Sequence, residues 1–372
     1  MSASFGFATA GTIRFGRGVV AEAATFAASF GRVLLVRSAS VTAADQLAQH
    51  LAKTSAVMNL IATGEPDLPG IERHLAAVRP FAPDLVIAIG GGAVIDLGKA
   101  LAALIPAPHN ALRYLEVVGD GKPLDKAPLP LVAIPTTAGT GTEVTRNAVI
   151  GVPAAQRKVS LRDPRLYPKL ALIDPNLCMS CPPAVVLASG LDAITQVIEP
   201  FISARANPMT DALCRDAIPR GLSALRGLLD DGDTSAWDDM ALTSVFGGLA
   251  LSNAGLGAVH GFAGVIGGII GAAHGAICGT LLVPVLKANL AVTRGDTAAR
   301  IAWVFDRVTE EYGSVTAFEA WTRDHGLRRL TDLGVTPDTH QQIACDARAA
   351  SSYKANPVDL DMPALLDILA QA

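Results

Sequence analysis

The amino-acid sequence predicts an α/β domain with a parallel β-sheet, followed by an all-α domain. Between about residues 32 and 137, short apolar runs alternate with longer amphipathic segments, which is the pattern of strands covered by helices. After about residue 180 the strand-like runs stop, and segments rich in Ala, Leu and Gly continue to the end. We therefore expect two domains, 1–178 and 179–372, with the functional site in the cleft between them.

Each element of the first domain has its own signal. Apolar runs of strand length and composition occur four times: RVLLVRS (32–38), AVMNLIA (56–62), DLVIAIGGG (84–92) and LPLVAIPTT (129–137). Helical patterns separate them: SVTAADQLAQHLAKT (40–54), LPGIERHLAAVRPF (68–81) and AVIDLGKALAALI (93–105). Because a helix lies between consecutive strands, the sheet is predicted to be parallel.

Composition and charge exclude several classes of protein. Half of the residues are hydrophobic, 17% are charged and the net charge is -4, so the chain can bury large cores. It has no basic block, and nucleic acid is therefore not expected as a partner. Residues 1–16 lack a basic start followed by an apolar core, so no secretory signal is expected. Five cysteines, an odd number, indicate reduced thiols and a cytoplasmic location.

One long segment could be mistaken for a membrane span. Residues 241–286 contain no Asp, Glu, Lys or Arg, and such a length could cross a bilayer. However, the segment is rich in glycine, includes His260 and His274, and lacks flanking aromatic belts and basic clusters. We interpret it as helices buried in the second domain and expect no membrane partner.

Two polar loops follow predicted strands of the first domain. The loop IGGGAVIDLGKA (89–100) places glycines between a strand and a helix, where backbone N–H groups can approach a pyrophosphate. It does not match GxGxxG, and a plain tight turn is the alternative. The loop IPTTAGTGTEVT (134–145) adds the hydroxyls of Thr136, Thr137, Thr140 and Thr142; its alternative is a polar surface loop. Together the two loops indicate a nucleotide-binding site.

The segment GLDAITQVIEP (190–200) carries a candidate metal site. Asp192 and Gln196 are four residues apart, which places both on one face of a helix. His260 and His274 lie in the charge-free segment. Because buried carboxylate and imidazole groups without partners are costly, these residues favour metal binding. The alternative is that the two histidines only hydrogen-bond to their neighbours.

Five motifs in this order resemble those of the iron-containing (group III) alcohol dehydrogenases. They are GGGAVIDLGKA (90–100), IPTTAGTGTEVT (134–145), ALIDPNL (171–177), ASGLDAITQVIEPFISARANPMTDAL (188–213), and AVHGF with AAHGAI (258–277). The resemblance extends from about residue 12 to residue 357. It implies a Rossmann-like nucleotide-binding domain and an all-α domain, as in dehydroquinate synthase. It also implies reversible NAD(P)-dependent oxidation of an alcohol to an aldehyde or ketone, assisted by a divalent metal, Fe²⁺ before Zn²⁺.

The resemblance also implies roles for individual residues. The cofactor-binding residues it implies are Ser38, Gly91, Gly92, Ala93, Asp96, Thr136, Thr137, Thr140 and Lys158. Members that prefer NAD carry an Asp at the position of Ser38, where it binds the ribose 2′-hydroxyl. Here Ser38 replaces it and Arg37 is adjacent. Because a carboxylate would repel a 2′-phosphate, this change favours NADP; the alternative is that Arg37 points into solvent.

The implied metal ligands are Asp192, Gln196, His260 and His274, of which Asp192 and the two histidines are also the implied catalytic residues. Relatives have a histidine where this chain has Gln196, and an amide oxygen is a weaker ligand than imidazole. Gln196 would either ligate the metal with reduced affinity or hydrogen-bond to a metal-bound water. Many relatives also have a proton-relaying histidine at the position of Gly264. A bound metal would act as a Lewis acid on the substrate oxygen.

Other functions remain open at this point. A maleylacetate reductase is one, although its members lack the Asp at position 192. A carbocycle-forming synthase of the dehydroquinate synthase type is another, although residues 182–290 have few Lys and Arg for a phosphorylated substrate. A non-catalytic, cofactor-binding protein is the third. The apolar wall 249–277 favours a small or uncharged alcohol, and the resemblance implies a homodimer formed through the N-terminal strand.

Overall fold

The structure is a computed structural model that describes residues 4–372. Its residues form two compact units. The α/β unit consists of Thr9–Thr137 and Thr142–Ser180. The helical unit consists of Cys181–Ala372 together with Ala138–Gly141 and the described residues before Thr9. The predicted fold class, an α/β part followed by a helical part, is confirmed, and the predicted domain boundary at residue 178 stays a prediction.

A six-stranded parallel sheet forms the centre of the α/β unit. Its strands are β1 (Thr12–Phe15), β2 (Arg32–Ser38), β3 (Ala56–Ala62), β4 (Leu85–Gly90), β5 (Leu131–Pro135) and β8 (Leu170–Ile173). Their order is β1-β8-β5-β4-β2-β3. The register aligns Leu34 with Val86 and Ile87 with Val132. β2 and β3 match the predicted runs residue for residue, and β4 and β5 lie within theirs.

Helices cover both faces of this sheet because its buried strands are apolar on both sides. The helices are α1 (Glu22–Ala27), α2 (Thr42–Leu51), α3 (Leu68–Val78) and α4 (Gly92–Leu104). Leu34 and Val36 pack in a core with α3 and α4, whereas Val33 and Leu35 pack with α1 and α2. Gly98 brings α4 against the sheet, since a Cβ there would lie 2.6 Å from the Ala88 methyl.

Four strands were not predicted. β6 (Asn147–Val152) and β7 (Arg157–Arg162) form an antiparallel pair. β7 has the sequence RKVSLR, and its three basic residues hide the alternation of buried and exposed positions that defines a strand. β1 and β8 have only four residues each, which is too short for a recognisable period.

The helical unit is built around one buried helix. Its helices are α5 (Pro183–Ile202), α6 (Pro208–Arg226), α7 (Ala236–Ala254), α8 (Ala258–Ile270), α9 (His274–Val292), α10 (Gly295–Tyr312), α11 (Val315–Asp324), α12 (His340–Ala349) and α13 (Met362–Gln371). α5 packs against α6, α7 and α9. From Gly190 to Ile202 every residue of α5 is buried, so any polar side chain in this stretch needs a partner inside the unit.

By length and composition, α5 and α9 could each cross a membrane, and α7 with α8 could form a third, bent span. In the structure 83% of the apolar window of α5 and 61% of that of α9 are buried inside the protein. The apolar residues of both helices therefore pack mostly inside the protein, as the sequence analysis predicted for residues 241–286, which include most of α9 but not α5.

Candidate active site

A cluster of polar side chains lies within the helical unit and starts at Asp192 on α5. Its side chain is only 4% exposed, and its Oδ1 atom has no hydrogen-bond partner. Gln196 and Glu199 follow one and two turns later on the same face of α5 and are also buried. An ionisable oxygen without a partner in a helix core is costly, so this atom requires a cation or a proton donor.

His260 on α8 faces this carboxylate, and Glu199 orients its ring. The Nδ1 atom of His260 lies 2.7 Å from Glu199 Oε2, while Glu199 Oε1 accepts a hydrogen bond from the Val259 N–H at 2.7 Å. A carboxylate accepts hydrogen bonds, so the imidazole proton is on Nδ1. The other ring nitrogen, Nε2, lies 3.4 Å from Asp192 Oδ1; in the neutral imidazole it carries the lone pair, which can bind either a proton or a metal ion.

α9 contributes two further candidate ligands. His274 is the first residue of this helix and Cys278 lies one turn later. The His274 Nε2 atom is 4.0 Å from Asp192 Oδ1, and the Cys278 Sγ atom is 3.9 Å from His260 Nε2. One donor atom from each of Asp192, His260, His274 and Cys278 lies within 4.8 Å of all the others. Such a set of O, N and S donors can hold a divalent transition metal.

Two glycines make this close arrangement possible. A Cβ at Gly275 would lie 2.1 Å from the Ala188 carbonyl oxygen, and one at Gly279 would lie 2.5 Å from the Leu191 side chain. A methyl group at Gly275 would move α9 away from α5, and one at Gly279 would displace the Leu191 side chain. Because Gly275 and Gly279 are neighbours of His274 and Cys278 in the sequence, they set the distance of both candidate ligands from α5.

The charges in the cluster stabilise one another. Burial by itself would raise the pKa of Asp192, but its neighbours His260 and His274 lower it. Burial would likewise lower the pKa of His260, yet Cys278, Asp192 and Glu199 raise it well above its usual value. The cluster therefore favours positive charge at its centre, which a metal ion supplies when it displaces protons.

Gln196, a predicted ligand, lies beside this cluster. Its Nε2 donates a hydrogen bond to the Gly139 carbonyl oxygen at 3.1 Å. Because a carbonyl oxygen accepts, this contact turns the amide nitrogen toward Gly139. Gln196 is also one of the neighbours that lower the pKa of the Asp192 carboxyl group. The ligand role of Gln196 stays a prediction.

Within the α/β unit, the glycine loop and the first threonines of the threonine loop lie side by side. Gly91 precedes α4 with no side-chain cap, which leaves the N–H groups of Gly92 and Ala93 free to bind an anion. A Cβ at Gly91 would lie 3.5 Å from Thr137, and Thr136 N–H donates to the Gly90 carbonyl oxygen at 3.0 Å. Thr140 belongs to the short segment Ala138–Gly141 of the helical unit.

The second half of the glycine motif forms a buried network. Asp96 accepts hydrogen bonds from Thr142 Oγ1 at 2.6 Å and from Val149 N–H at 3.0 Å. Lys99, which is fully buried, donates to Thr142 and Thr145 at 2.8 Å each. Burial lowers the pKa of Lys99 to about 8. This network joins the glycine loop to the threonine loop inside one unit, so Asp96 acts on the loop geometry.

The remaining predicted cofactor residues are engaged in other contacts. Lys158 on β7 forms an ion pair with Glu65 at 2.5 Å. Ser38 ends β2, and its hydroxyl lies 3.1 Å from that of Ser40. Arg37 does not point into solvent: its side chain is 10% exposed and forms an ion pair with Asp45 on α2. Because side chains alternate along a strand, Arg37 and Ser38 project from opposite faces of the sheet.

Comparisons with known proteins identify the family of this chain. The family model "Iron-containing alcohol dehydrogenase" matches residues 10–175, and the model for the C-terminal region of the same family matches residues 186–372. This chain belongs to the iron-containing alcohol dehydrogenase family. It is an oxidoreductase that interconverts alcohols and aldehydes with a nicotinamide cofactor. The reductase and synthase alternatives are not favoured.

Individual relatives of this dehydrogenase have recorded activities of their own. Lactaldehyde reductase of Escherichia coli K12 is 34% identical over 312 residues, which are 82% of this chain and 80% of the relative. The probable alcohol dehydrogenase EutG of Salmonella typhimurium is 31% identical over 88% of this chain and 82% of its own length. The solved structure of an alcohol dehydrogenase from Oenococcus oeni superimposes with a TM-score of 0.88 at 26% identity, over 99% of this chain and 100% of that one.

The sequence analysis missed Glu199 and Cys278 as site residues of this dehydrogenase. Glu199 could have been found from spacing, because it follows Asp192 by two helical turns. Cys278 follows His274 by one turn, but a cysteine in an apolar helix is usually an inert core residue. Gly264 borders open space, since nothing lies within 4 Å of a Cβ built there; the structure therefore has room where relatives have a histidine.

Proposed function

We propose that this dehydrogenase interconverts a small, uncharged alcohol and its aldehyde or ketone, with a divalent metal held by Asp192, His260 and His274. The observation that carries the proposal is the buried Asp192 Oδ1 atom, which has no hydrogen-bond partner although two imidazoles and a thiol surround it. A metal ion would satisfy this oxygen, and the donor atoms suit one. Gln196 would act as a hydrogen-bond donor to Asp192 or as a weak ligand.

The chain's own residues prepare this site for its reaction. Glu199 keeps the proton of His260 on Nδ1, so Nε2 stays available as a ligand. His274 is one-third exposed, which supports access of a substrate from its side of the cluster. When bound, the metal would supply Lewis acidity toward the substrate oxygen. Fe²⁺ is the ion that the family's name indicates, and Zn²⁺ also suits these donors.

The cofactor would bind through the loops of the α/β unit. The free N–H groups of Gly92 and Ala93 at the start of α4 would bind the pyrophosphate, with Gly91 allowing its close approach. Thr136, Thr137 and Thr140 would line the cofactor. Asp96 would act through Thr142 as a positioning residue. Lys158 would reach the cofactor only after release from Glu65.

We also propose that the enzyme accepts NADP at least as readily as NAD. Ser38 carries no charge at the end of β2, so the carboxylate that would repel a 2′-phosphate is absent there. Arg37 is already paired with Asp45 and lies on the other face of the sheet, so its contribution requires rearrangement. The ratio of kcat/KM for NADPH to that for NADH tests this preference directly.

A homodimer and a cytoplasmic location are further parts of the proposal. β1 lies at the edge of the sheet, and its Phe15 is 40% exposed, which supports pairing of this edge with a second copy. Light scattering would distinguish a dimer from a monomer. Finding the protein in the cytosolic fraction of lysed cells, with its cysteines reduced, would support the cytoplasmic location.

The experiment that tests the function combines metal analysis with a substrate panel. The protein is purified without chelator or nickel affinity, and its metals are measured by plasma mass spectrometry. We expect about one iron or zinc per chain and reduction of short aldehydes by NAD(P)H. Substitution Asp192→Asn should abolish both. A protein without metal that takes up neither Fe²⁺ nor Zn²⁺, or one that prefers carboxylated substrates, would refute the proposal.

A further inference from the structure

We propose that the thiolate of Cys278 is a ligand of the metal, in the place where Gln196 would otherwise be expected to bind. The inference rests on the proposed metal centre and concerns the identity of its fourth donor. It follows from three observations: the position of the sulfur atom, the orientation of the Gln196 amide and the difference between Cys278 and another buried cysteine of this chain.

The sulfur atom lies where a fourth ligand is needed. In a tetrahedral zinc site, neighbouring N and O ligands are roughly 3.3 Å apart, and S and N ligands roughly 3.6 Å apart. Here His260 Nε2 lies 3.4 Å from Asp192 Oδ1 and 3.9 Å from Cys278 Sγ. Both distances are within a few tenths of an ångström of these values, whereas His274 Nε2, at 4.0 Å from Asp192 Oδ1, would have to move closer when a metal binds.

Helix geometry supports the same assignment. Cys278 is one turn after His274 on α9, a spacing that allows both side chains to bind one ion. Gly275 and Gly279 hold this face of α9 against α5. The sulfur atom therefore cannot move far from Asp192 while the helices remain packed.

The Gln196 amide is already used in other contacts. Its nitrogen donates a hydrogen bond to the Gly139 carbonyl oxygen, and Gln196 lowers the pKa of the neighbouring Asp192 carboxyl group. To present its oxygen to a metal beside Asp192, the amide would have to rotate. It would then give up a buried hydrogen bond worth about 1 kcal/mol. Cys278 needs no such exchange, because its sulfur atom already faces His260.

Cys214 on α6 provides the internal comparison. Both cysteines are fully buried, and burial raises the pKa of the Cys214 thiol. The structure describes no metal-binding group around Cys214, whereas Cys278 belongs to one with Asp192 and two histidines. Cys214 is therefore a matched control of the same residue type and burial.

A thiolate changes the metal that the site prefers. Asp192 and Cys278 together carry two negative charges, which neutralise a divalent ion, whereas a carboxylate with neutral ligands leaves one positive charge. Thiolate is also a softer donor than imidazole or an amide oxygen. We therefore expect the site to select Zn²⁺ or Co²⁺ over Fe²⁺ more strongly than a site built from oxygen and nitrogen alone.

Cobalt substitution tests the assignment with a signal that is independent of activity. The metal-free protein is titrated with Co²⁺, and the near-ultraviolet absorption is recorded for wild type, Cys278→Ser and Cys214→Ser. We expect a thiolate-to-cobalt charge-transfer band in wild type and Cys214→Ser. Cys278→Ser should lose the band. It should also bind Zn²⁺ at least roughly a hundredfold more weakly, because loss of a ligand should cost no less than the largest loss of affinity seen when a hydrogen-bond partner of a ligand is removed.

The outcomes separate this inference from the proposed function. Cobalt uptake by wild type without the band would overturn the thiolate ligand and leave the metal centre intact. No cobalt uptake would overturn the metal centre and the ligand together. If Cys278→Ser does not fold, X-ray absorption of the wild-type zinc protein decides: one sulfur at about 2.3 Å supports the proposal, and only N and O scatterers overturn it. The double variant Gln196→His with Cys278→Ser should recover metal binding without the band.

Discussion

Substitution Glu199→Gln should weaken metal binding. Glu199 is not itself a candidate ligand, but its side chain contacts the candidate ligand His260. In the native site one carboxylate accepts two hydrogen bonds, from Val259 N–H and from His260 Nδ1, each 2.7 Å long. A glutamine has one acceptor oxygen and one donor nitrogen. If its oxygen keeps the bond with Val259, its nitrogen faces His260 Nδ1. The imidazole proton must then move to Nε2, the atom that faces Asp192.

The expected magnitude follows from these two bonds. Loss of the partner that orients a ligating histidine typically costs 10–100-fold in metal affinity, which is about 1.4–2.7 kcal/mol. Loss of one hydrogen bond to a buried carboxylate should also lower the free energy of unfolding of the metal-free protein by about 1.5–3 kcal/mol. Glu199 is only 2% exposed, so solvent does not screen its contacts and reduces neither the loss of metal affinity nor the loss of stability.

The assay is a competition for Zn²⁺ between the protein and a chromophoric chelator, run beside urea denaturation of the metal-free protein. Glu319→Gln is the matched control: Glu319 pairs with Lys287 at 3.3 Å and its side chain is 25% exposed, so its loss should cost less than about 1 kcal/mol and leave zinc affinity unchanged. A zinc affinity of Glu199→Gln within twofold of wild type would refute the argument that this carboxylate sets the tautomer of His260.

Three other changes have defined outcomes. Gly275→Ala should separate α9 from α5, because its methyl would lie 2.1 Å from the Ala188 carbonyl oxygen. We expect the free energy of unfolding in urea to fall by about 1–3 kcal/mol and zinc affinity to fall with it. Unchanged zinc affinity would show that α9 can move without disturbing the site. Burial raises the pKa of Glu143 from 4.5 to about 7, so the folded state binds this proton more tightly, and the free energy of unfolding should fall by up to about 3 kcal/mol as pH rises from 4.5 to 7. Glu143→Gln should remove this part of the slope, and identical pH profiles of variant and wild type would contradict the assigned pKa. Asp45→Ala should release Arg37 from its ion pair and raise the NADPH-to-NADH ratio of kcat/KM, whereas an unchanged ratio would mean that Arg37 does not reach the 2′-phosphate.

Much of the fold could be predicted because its signals are local. β2 and β3 were predicted to the residue, since buried parallel strands appear as continuous apolar runs. The glycine and threonine loops were recognisable because turns beside phosphate sites require particular residue types at fixed positions. β7 was missed because its basic residues mask the strand period. It forms by hydrogen bonding to β6, and that pairing cannot be recognised from the composition of β7 alone.

The sequence by itself determined the fold class, the family and three of the candidate metal ligands, Asp192, His260 and His274. Those inferences depend on the local pattern of apolar and polar residues and on motifs that are read in order along the chain. Tertiary structure alone decided which way the Gln196 amide is turned and that Cys278 lies within reach of His260. The physical reason is that these properties depend on how closely α9 packs on α5, and packing distance is set by contacts between residues far apart in the chain.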